Sequence, residues 1–267
     1  GSKEDGCGDG AGMTGASGVR VCGLVPTYDN PATIGAVVDR IRAHLPTVYV
    51  VDDGSSDEGR RACEALARSG RARVIRHPVN RGKGAAVRTG LAAARDGGFS
   101  HAFQIDGDGQ HDLDAIPTFL ATARAEPEAL VLAHPVYEVT APALRTVGRR
   151  MTQFWVDLEI GRGRARDAMI GFRVYPIEAA LAADARFDRM AFDVEIVVRM
   201  AWAGTTIVNR PVGVRYLSAE EGGRSHFRMG RDNAALFALH SRLCTEASID
   251  WCLSWLRPTA PRVRRGA

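Results

Sequence analysis

The sequence predicts an α/β protein in which a mostly parallel sheet is flanked by helices on both faces. Two observations carry this. Short apolar runs at 19–25 and 48–51 read as buried strands, and between them Ile34, Val37, Val38, Ile41 and Leu45 recur at helical spacing. The same alternation then repeats with short connections, the pattern of parallel strands joined by crossover helices. A third observation narrows the class. Neither Gly-x-Gly-x-x-Gly after the first strand nor a Walker A loop is present, which disfavours a dehydrogenase or a P-loop ATPase.

Taken in order, a strand over 19–25 is closed by Pro26, a helix follows over 34–45, and a strand at 48–51 runs into Asp52-Asp53-Gly54. A helix over 56–69, a strand at 73–76, a helix over 82–95 and a strand at 101–105 continue the alternation. Next come a helix over 113–125 and a strand at 129–133. Beyond Pro135 the expected elements are a helix over 144–158, a strand at 172–175 and a helix over 192–203. A strand at 205–208 resumes near 212–216, and 231–255 reads as a pair of amphipathic helices.

With 267 residues the chain is long enough for one sizeable core. Residues 1–18 are Gly-rich, lack periodicity and read as a flexible tail with a cloning scar. Residues 19–230 then form one domain, and 231–267 a helical extension with a basic tail. No uninterrupted apolar stretch reaches the length of a spanning helix and no secretory signal is seen, so the expected location is the cytoplasm, with contact at the cytoplasmic face of a membrane left open. The five cysteines are scattered and fit no metal spacing, which predicts reduced structural thiols. Net charge is +4, with Arg clustered at 162–166, 224–231 and 262–265, a balance suited to anionic partners such as phosphorylated substrates or lipid headgroups. Aromatic residues do not interleave with these runs as on a base-stacking platform, so nucleic acid ranks last. Trp251, Leu253 and Trp255 beside basic clusters are expected to permit peripheral docking on anionic lipid.

The segment carrying the chemistry is Phe103-Gln104-Ile105-Asp106-Gly107-Asp108-Gly109-Gln110-His111-Asp112. A strand ending at Ile105 delivers Asp106, Asp108 and Gln110 to the carboxyl edge of the sheet, where open α/β sheets bind ligands. Hard cations such as Mg²⁺ take one or two carboxylates together with phosphate oxygens and water, and this set supplies them. Gly107 lets the backbone approach a ligand closely. The plain alternative is an Asp/Gly turn.

Further segments fall in a fixed order: Pro26-Thr27-Tyr28-Asp29-Asn30, then Asp52-Asp53-Gly54-Ser55-Ser56-Asp57, then Asn80-Arg81-Gly82-Lys83-Gly84, then the Asp106 loop. Downstream stand Asp167, Gly171-Phe172-Arg173, Phe192-Asp193-Val194-Glu195-Ile196 and Asn209-Arg210-Pro211-Val212. This order closely resembles the GT-A fold of family 2 glycosyltransferases, especially the polyprenyl-phosphate sugar transferases related to dolichol-phosphate mannose synthase, over residues 19–230. Pro135-Val136-Tyr137, Arg145, the Gly171 strand and Ser225-His226-Phe227 also resemble enzymes of bacterial aryl polyene lipid pathways.

The resemblance implies a nucleotide-sugar donor and roles for particular residues. Asp53 would accept a hydrogen bond from the nucleobase imide N–H, and Pro26, Thr27, Tyr28 and Asp29 would border base and ribose. Lys83 would pair with the base edge or the diphosphate, or else be a solvated lysine in a Gly turn. Asp106 and Gly107 would face the ribose or a metal-bound water, while Asp108 and Gln110 would hold Mg²⁺ or Mn²⁺ on the diphosphate. Asp193 would be the base that takes the proton of an acceptor hydroxyl; with a phosphate acceptor no base is needed, and Asp193, with Glu195, would position substrate. Otherwise it is a helix N-terminal carboxylate. Asp167 either caps a turn or lines the acceptor pocket. Arg145, Arg173, Arg224 and Arg228 would grip diphosphate or an anionic acceptor, and Arg224-Ser225 would ride on a lid.

Two departures from the pattern matter. Asn30 replaces an acidic residue, and Ala133-His134-Pro135 lacks an Arg that phosphate-acceptor relatives use. The second shifts the expectation from a lipid phosphate toward a hydroxyl acceptor on a lipid or small aglycone. The alternatives are a nucleotidyltransferase acting on a sugar phosphate, disfavoured by Pro26-Thr27-Tyr28-Asp29 where a basic Gly-rich loop would stand, and a catalytically inactive nucleotide-sugar-binding protein.

Overall fold

Seven strands form one sheet in the order β3-β2-β1-β4-β6-β5-β7, here seen in a computed structural model that describes residues 18–137, 143–215 and 229–256. The strands are β1 Val21–Thr27, β2 Val48–Asp52, β3 Arg73–Arg76, β4 His101–Ile105, β5 Leu130–Tyr137, β6 Phe172–Pro176 and β7 Ile207–Val214. The helices are α1 Ile34–Arg42, α2 Asp57–Arg68, α3 Lys83–Asp96, α4 Ile116–Ala125, α5 Ala143–Ile160, α6 Ile177–Ala182, α7 Phe192–Trp202 and α8 Met229–Leu256. All pairings are parallel except those of β6, which runs antiparallel between β4 and β5. The first four strands therefore end on one edge, and Phe172, the first residue of β6, returns there beside Ile105.

The core explains why these runs become central strands. β1, β2 and β4 are buried along their whole length, and α1 lays Ile34, Val37, Val38 and Ile41 against the sheet. Under the β4 edge, Phe103, Phe119 and Phe172 pack with ring centroids 4.8–5.6 Å apart, mostly edge to face. Each of these sealed rings contributes about 2–3 kcal/mol of apolar burial, so the floor beneath the Asp106 loop is rigid.

Strand ends differ from the sequence reading where proline was taken as a stop. β1 runs through Pro26 to Thr27. Gly23 N–H points to β2, so by alternation the missing N–H of Pro26 lies on the β4 side, past the last β1–β4 pair at Leu24 and Gln104. β7 is one strand rather than two pieces, because Pro211 is exposed on a strand at the sheet edge where its lost donor costs no ladder bond. β5 extends to Tyr137 along β7, and α6, which the periodicity reading passed over, follows Pro176 directly.

The expected C-terminal helix pair is a single helix, α8, of 28 residues. Between Arg231 and Arg257 there is no Gly or Pro to break it. Its Leu236, Leu239, His240 and Leu243 are buried, with the His240 ring stacked on Trp155 of α5. The side chains of Trp251, Leu253 and Trp255, like residues 1–17, lie outside the described residues. Among the described residues no helix is long and apolar enough to cross a membrane. Cys22, Cys63 and Cys244 are free, and burial pushes the Cys22 and Cys63 thiols up to about 12, as inert structural thiols require.

Candidate active site

The Asp106 loop is fixed from two sides. Asp106 N–H donates to Gly171 O at 3.1 Å, and Thr33 Oγ1 donates to Gly107 O at 2.6 Å. The far end is stitched to β7, with Asp112 N–H on Gly213 O and Arg215 N–H on Gln110 O, both at 2.9 Å. Gly171 is needed for this closeness, since a Cβ there would lie 2.1 Å from Asp106 Oδ1.

A buried chain of charge sits behind the loop. Lys83 Nζ lies 2.8 Å from Asp106 Oδ2 and 2.7 Å from Asp193 Oδ2, with its side chain largely sealed. Burial works to lower the Lys83 pKa, but the two carboxylates outweigh it and raise it, so the ammonium stays charged. Asp193, in the first turn of α7, is 1% exposed; its contact to Lys83 is close but poorly angled, so charge holds it more than a directed hydrogen bond. Arg173 lies 3.6 Å away on the other side. Gln104 supports Asp106 from within β4: Tyr175 Oη donates to Gln104 Oε1 at 2.9 Å, and Gln104 Nε2 reaches Asp106 Oδ1 at 3.4 Å. The sequence reading assigned Gln104 no role, although a glutamine inside an apolar strand is itself a signal of a satisfied buried polar group.

Lys83 is aimed here by the turn before α3. Gly82 has φ +104°, and a Cβ there would meet Asp188 O at 2.3 Å. Asp53 holds that turn: its carboxylate accepts from Arg81 N–H at 3.0 Å and Gly82 N–H at 2.7 Å, and contacts His77 Nδ1 at 2.7 Å. Asp53 is thus 3% exposed and occupied by the protein, where the resemblance implied a carboxylate open to a nucleobase. Asp52 is likewise committed, to Ser55 N–H and to Arg76.

The loop after β1 is pinned beside it. Asp29, at φ +52°, accepts from Ser56 N–H at 2.8 Å and Ser56 Oγ at 2.6 Å, and its own N–H donates to Ser55 Oγ. Its carboxylate therefore joins the loops after β1 and β2, and the left-handed backbone there is strained for a non-glycine residue. Thr27 is buried and accepts from Asn30 Nδ2 at 3.2 Å, so Asn30 serves a loop contact where an acid was expected. Pro26 is buried and Tyr28 half-buried at the same edge.

Asp108 and Gln110 are half-buried; Asp108 Oδ1 accepts from Gln110 N–H at 3.1 Å, and among the described residues no cation pairs with Asp108. His111 packs on Phe172 with the rings tilted and their centroids 5.4 Å apart, and its buried Nδ1 has no partner. Burial lowers the His111 pKa, Asp108 and Asp106 oppose this, and Lys83 and Arg149 add to it. Asp108 and the Gln110 amide beside it are oxygen donors of the kind a hard divalent ion takes. Among the described residues no three His, Cys, Asp or Glu side chains group closely enough to hold a metal ion by themselves.

Of the two roles the sequence left open for Asp167, the contacts are those of the turn cap. Asp167 accepts from Met169 N–H at 2.8 Å, capping a turn, and pairs with Arg149 of α5. His134 stands near: burial and then Arg166 lower its pKa, with Asp167 opposing. Arg166 thus acts on His134 by charge, and Arg149 is held by Asp167. Arg149 sits one helical turn after Arg145, a spacing that could have flagged it; the Arg145 side chain lies outside the described residues, as do Arg224, Ser225 and Arg228.

Two expected ligand-binding residues are structural. Arg173 is fully buried and donates to the carbonyls of Ile170, Ala168 and Asp193, so it cannot grip a diphosphate. Glu195 is also sealed, accepting from the N–H groups of Arg186 and Phe187 and from Arg199 Nε.

Residues 23–179 match the family described as Glycosyl transferase family 2. The chain belongs to that family. Family 2 membership makes it a glycosyltransferase rather than a nucleotidyltransferase. Among its relatives, polyprenol monophosphomannose synthase of Mycolicibacterium smegmatis is 26% identical over 82% of this chain and 87% of its own length. Human dolichyl-phosphate beta-glucosyltransferase is 29% identical over 65% of this chain and 60% of its own. In fold the chain is similar to glucosyl-3-phosphoglycerate synthase from Mycobacterium tuberculosis in complex with Mn²⁺, UDP and glucosyl-3-phosphoglycerate. The TM-score is 0.64 at 19% identity, over 85% of this chain and 81% of that one.

Proposed function

We propose that this glycosyltransferase moves a sugar from a nucleotide diphosphate donor, a UDP-sugar being favoured, to the phosphate of a lipid-linked acceptor, with inversion at the anomeric carbon. The observation that carries it is the Asp106 loop: two carboxylates and Gln110, pinned between β4 and β7 at the edge where β1, β2 and β4 end, with Lys83 behind and Arg149 beside. The UDP and Mn²⁺ held by the structural neighbour support the donor half of the reading. The polyprenol and dolichyl-phosphate names of the relatives support the acceptor half. The hydroxyl acceptor expected from the sequence gives way to a phosphate on the strength of those relatives.

In this reading Asp108 and Gln110, with His111 alongside, would hold Mg²⁺ or Mn²⁺, whose chemistry there is neutralisation of charge on the departing diphosphate. Pro26, Thr27, Tyr28 and Gly107 line the edge where the nucleoside would lie, and Asp106 faces it with one oxygen fixed by Lys83. Lys83, charged and sealed between Asp106 and Asp193, would fix the Asp106 carboxylate from behind. The acceptor phosphate is already ionised and attacks from the Arg149 side, opposite the leaving group. No base is then required, and Asp193, held between Lys83 and Arg173, positions Lys83.

The test is thermal stabilisation by UDP and by GDP, each with Mn²⁺ and with chelator, in the parent chain and in Asp108→Ala. A native-state ligand raises the melting temperature. The expected result is a metal-dependent shift with UDP that Asp108→Ala abolishes while its melting temperature without ligand stays within about 2 °C, since a half-buried loop side chain carries little of the fold. An unchanged shift in the variant overturns the metal assignment, and a shift with GDP alone overturns the choice of base.

A further inference from the structure

Helix α5 turns an apolar stripe to solvent that the fold does not use. Met151, Phe154 and Leu158 are 59%, 62% and 63% exposed, and their spacing of three and four residues puts them on one line along the helix. The opposite face is the packed one, with Thr152, Val156 and Ile160 buried. Phe154 meets the half-buried Trp155 edge to face, and Phe237 of α8, 68% exposed, stands one turn before the His240 that stacks on Trp155. Several large apolar side chains gathered on one surface mark an interaction site more often than an accident.

Among the described residues of α5 and the turn after it, the exposed charge is of one sign. Between residues 148 and 166 the exposed charged side chains are Arg150, Arg162, Arg164 and Arg166. The two acids of α5 are turned away: Asp157 accepts from Gln153 and from Gly163 N–H, and the Glu159 side chain is sealed against His240 at 2.8 Å. Exposed aromatic and aliphatic side chains framed by arginine suit a surface that is apolar below and anionic above. Two copies packed through this face would bring their arginines together, which like-charge repulsion opposes.

We propose that the exposed face of α5, with the 161–166 turn, is the surface by which the protein docks on an anionic lipid bilayer. The proposal rests on the reading of the acceptor as lipid-linked and gives it a geometry, because α5 is also the helix that carries Arg149 to Asp167 beside the site. Docking is peripheral, since no described helix can span the membrane.

The test is co-sedimentation of the full chain with vesicles of phosphatidylcholine alone and with about one quarter phosphatidylglycerol. The parent chain is expected to bind the anionic vesicles and to release in high salt. Phe154→Ser with Leu158→Ser, and separately Arg150→Glu with Arg162→Glu, are expected to weaken binding about tenfold. Each should retain the stabilisation by UDP and Mn²⁺, which shows that it is folded. Unaltered sedimentation of both variants, or no preference of the parent chain for anionic vesicles, overturns the proposal. So does a parent-chain dimer that the Phe154→Ser, Leu158→Ser variant dissolves, which would make a second copy the occupant. Vesicle binding without any nucleotide stabilisation would instead leave the docking surface standing and remove the functional reading.

Discussion

At the residue scale, Lys83 is where the sequence and the structure differ most usefully. As a sequence feature it was either a ligand contact or a solvated side chain between two glycines; it is a buried cation shared by Asp106 and Asp193. Removing one member of such a set leaves uncompensated charge in a sealed place. Lys83→Met is expected to cost roughly 3 kcal/mol of stability and to weaken UDP binding in the presence of Mn²⁺. Pairing it with Asp193→Asn in a denaturation cycle should recover part of the loss; strictly additive losses would show that the two side chains do not act together. The place of the Asp106 loop at the sheet edge was legible because Asp106, Asp108 and Gln110 directly follow a strand. Asp53, Glu195 and Arg173 were misassigned for the opposite reason. What occupies each is a backbone group or side chain brought by another element, and residue type alone does not say whether a charge meets ligand or protein.

At the element scale, most strands and helices were legible because the central strands are largely apolar and helices such as α1 have one buried face; the short α6 and the unbroken α8 were not. Proline misled the ends. Pro26, Pro135 and Pro211 all lie inside strands, since which way a missing N–H points depends on strand pairing that the sequence does not display. β4 illustrates how pairing also sets titration. His101, at its start, contacts Pro127 O through Nε2 at 2.8 Å and Ser100 Oγ through Nδ1 at 2.9 Å, and burial lowers its pKa below the usual 6.5. The unfolded chain therefore takes up a proton that the folded chain resists. Stability from this group is present above pH 6.5 and is lost as the pH falls below it. His111 and His134 are lowered as well and act in the same direction. Melting temperatures measured from pH 7 downward should fall, and His101→Gln should fall less steeply. An identical acid-side slope in the variant would remove His101 from the account.

At the scale of the whole molecule, the C-terminal helix reaches the site through a line of charged contacts. Glu246 of α8 pairs with Arg199 of α7 at 2.8 Å, and Arg199 Nε donates to Glu195 Oε1 at 2.8 Å. Glu195 Oε2 holds the N–H groups of Arg186 and Phe187, and that segment is the one against which Gly82 and Gly84 press, a Cβ at Gly84 meeting Phe187 O at 2.4 Å. Arg88 of α3 donates to Phe187 O at 2.8 Å and completes the clamp. The 186–188 segment thus sets where α3 begins, and with it where Lys83 points. Glu195→Ala would strand two backbone donors and a partly buried arginine at once. We expect a loss of roughly 3 kcal/mol in stability, together with weaker donor binding from a residue that touches no donor. Glu246→Gln, whose partner Arg199 keeps Glu195, should change stability by less than about 1 kcal/mol and leave donor binding unaltered. Comparing the two variants by denaturation and by UDP titration with Mn²⁺ separates the clamp from the helix contact. If Glu195→Ala binds donor as the parent chain does, the 186–188 segment does not position Lys83, and the line from α8 to the site ends at α7.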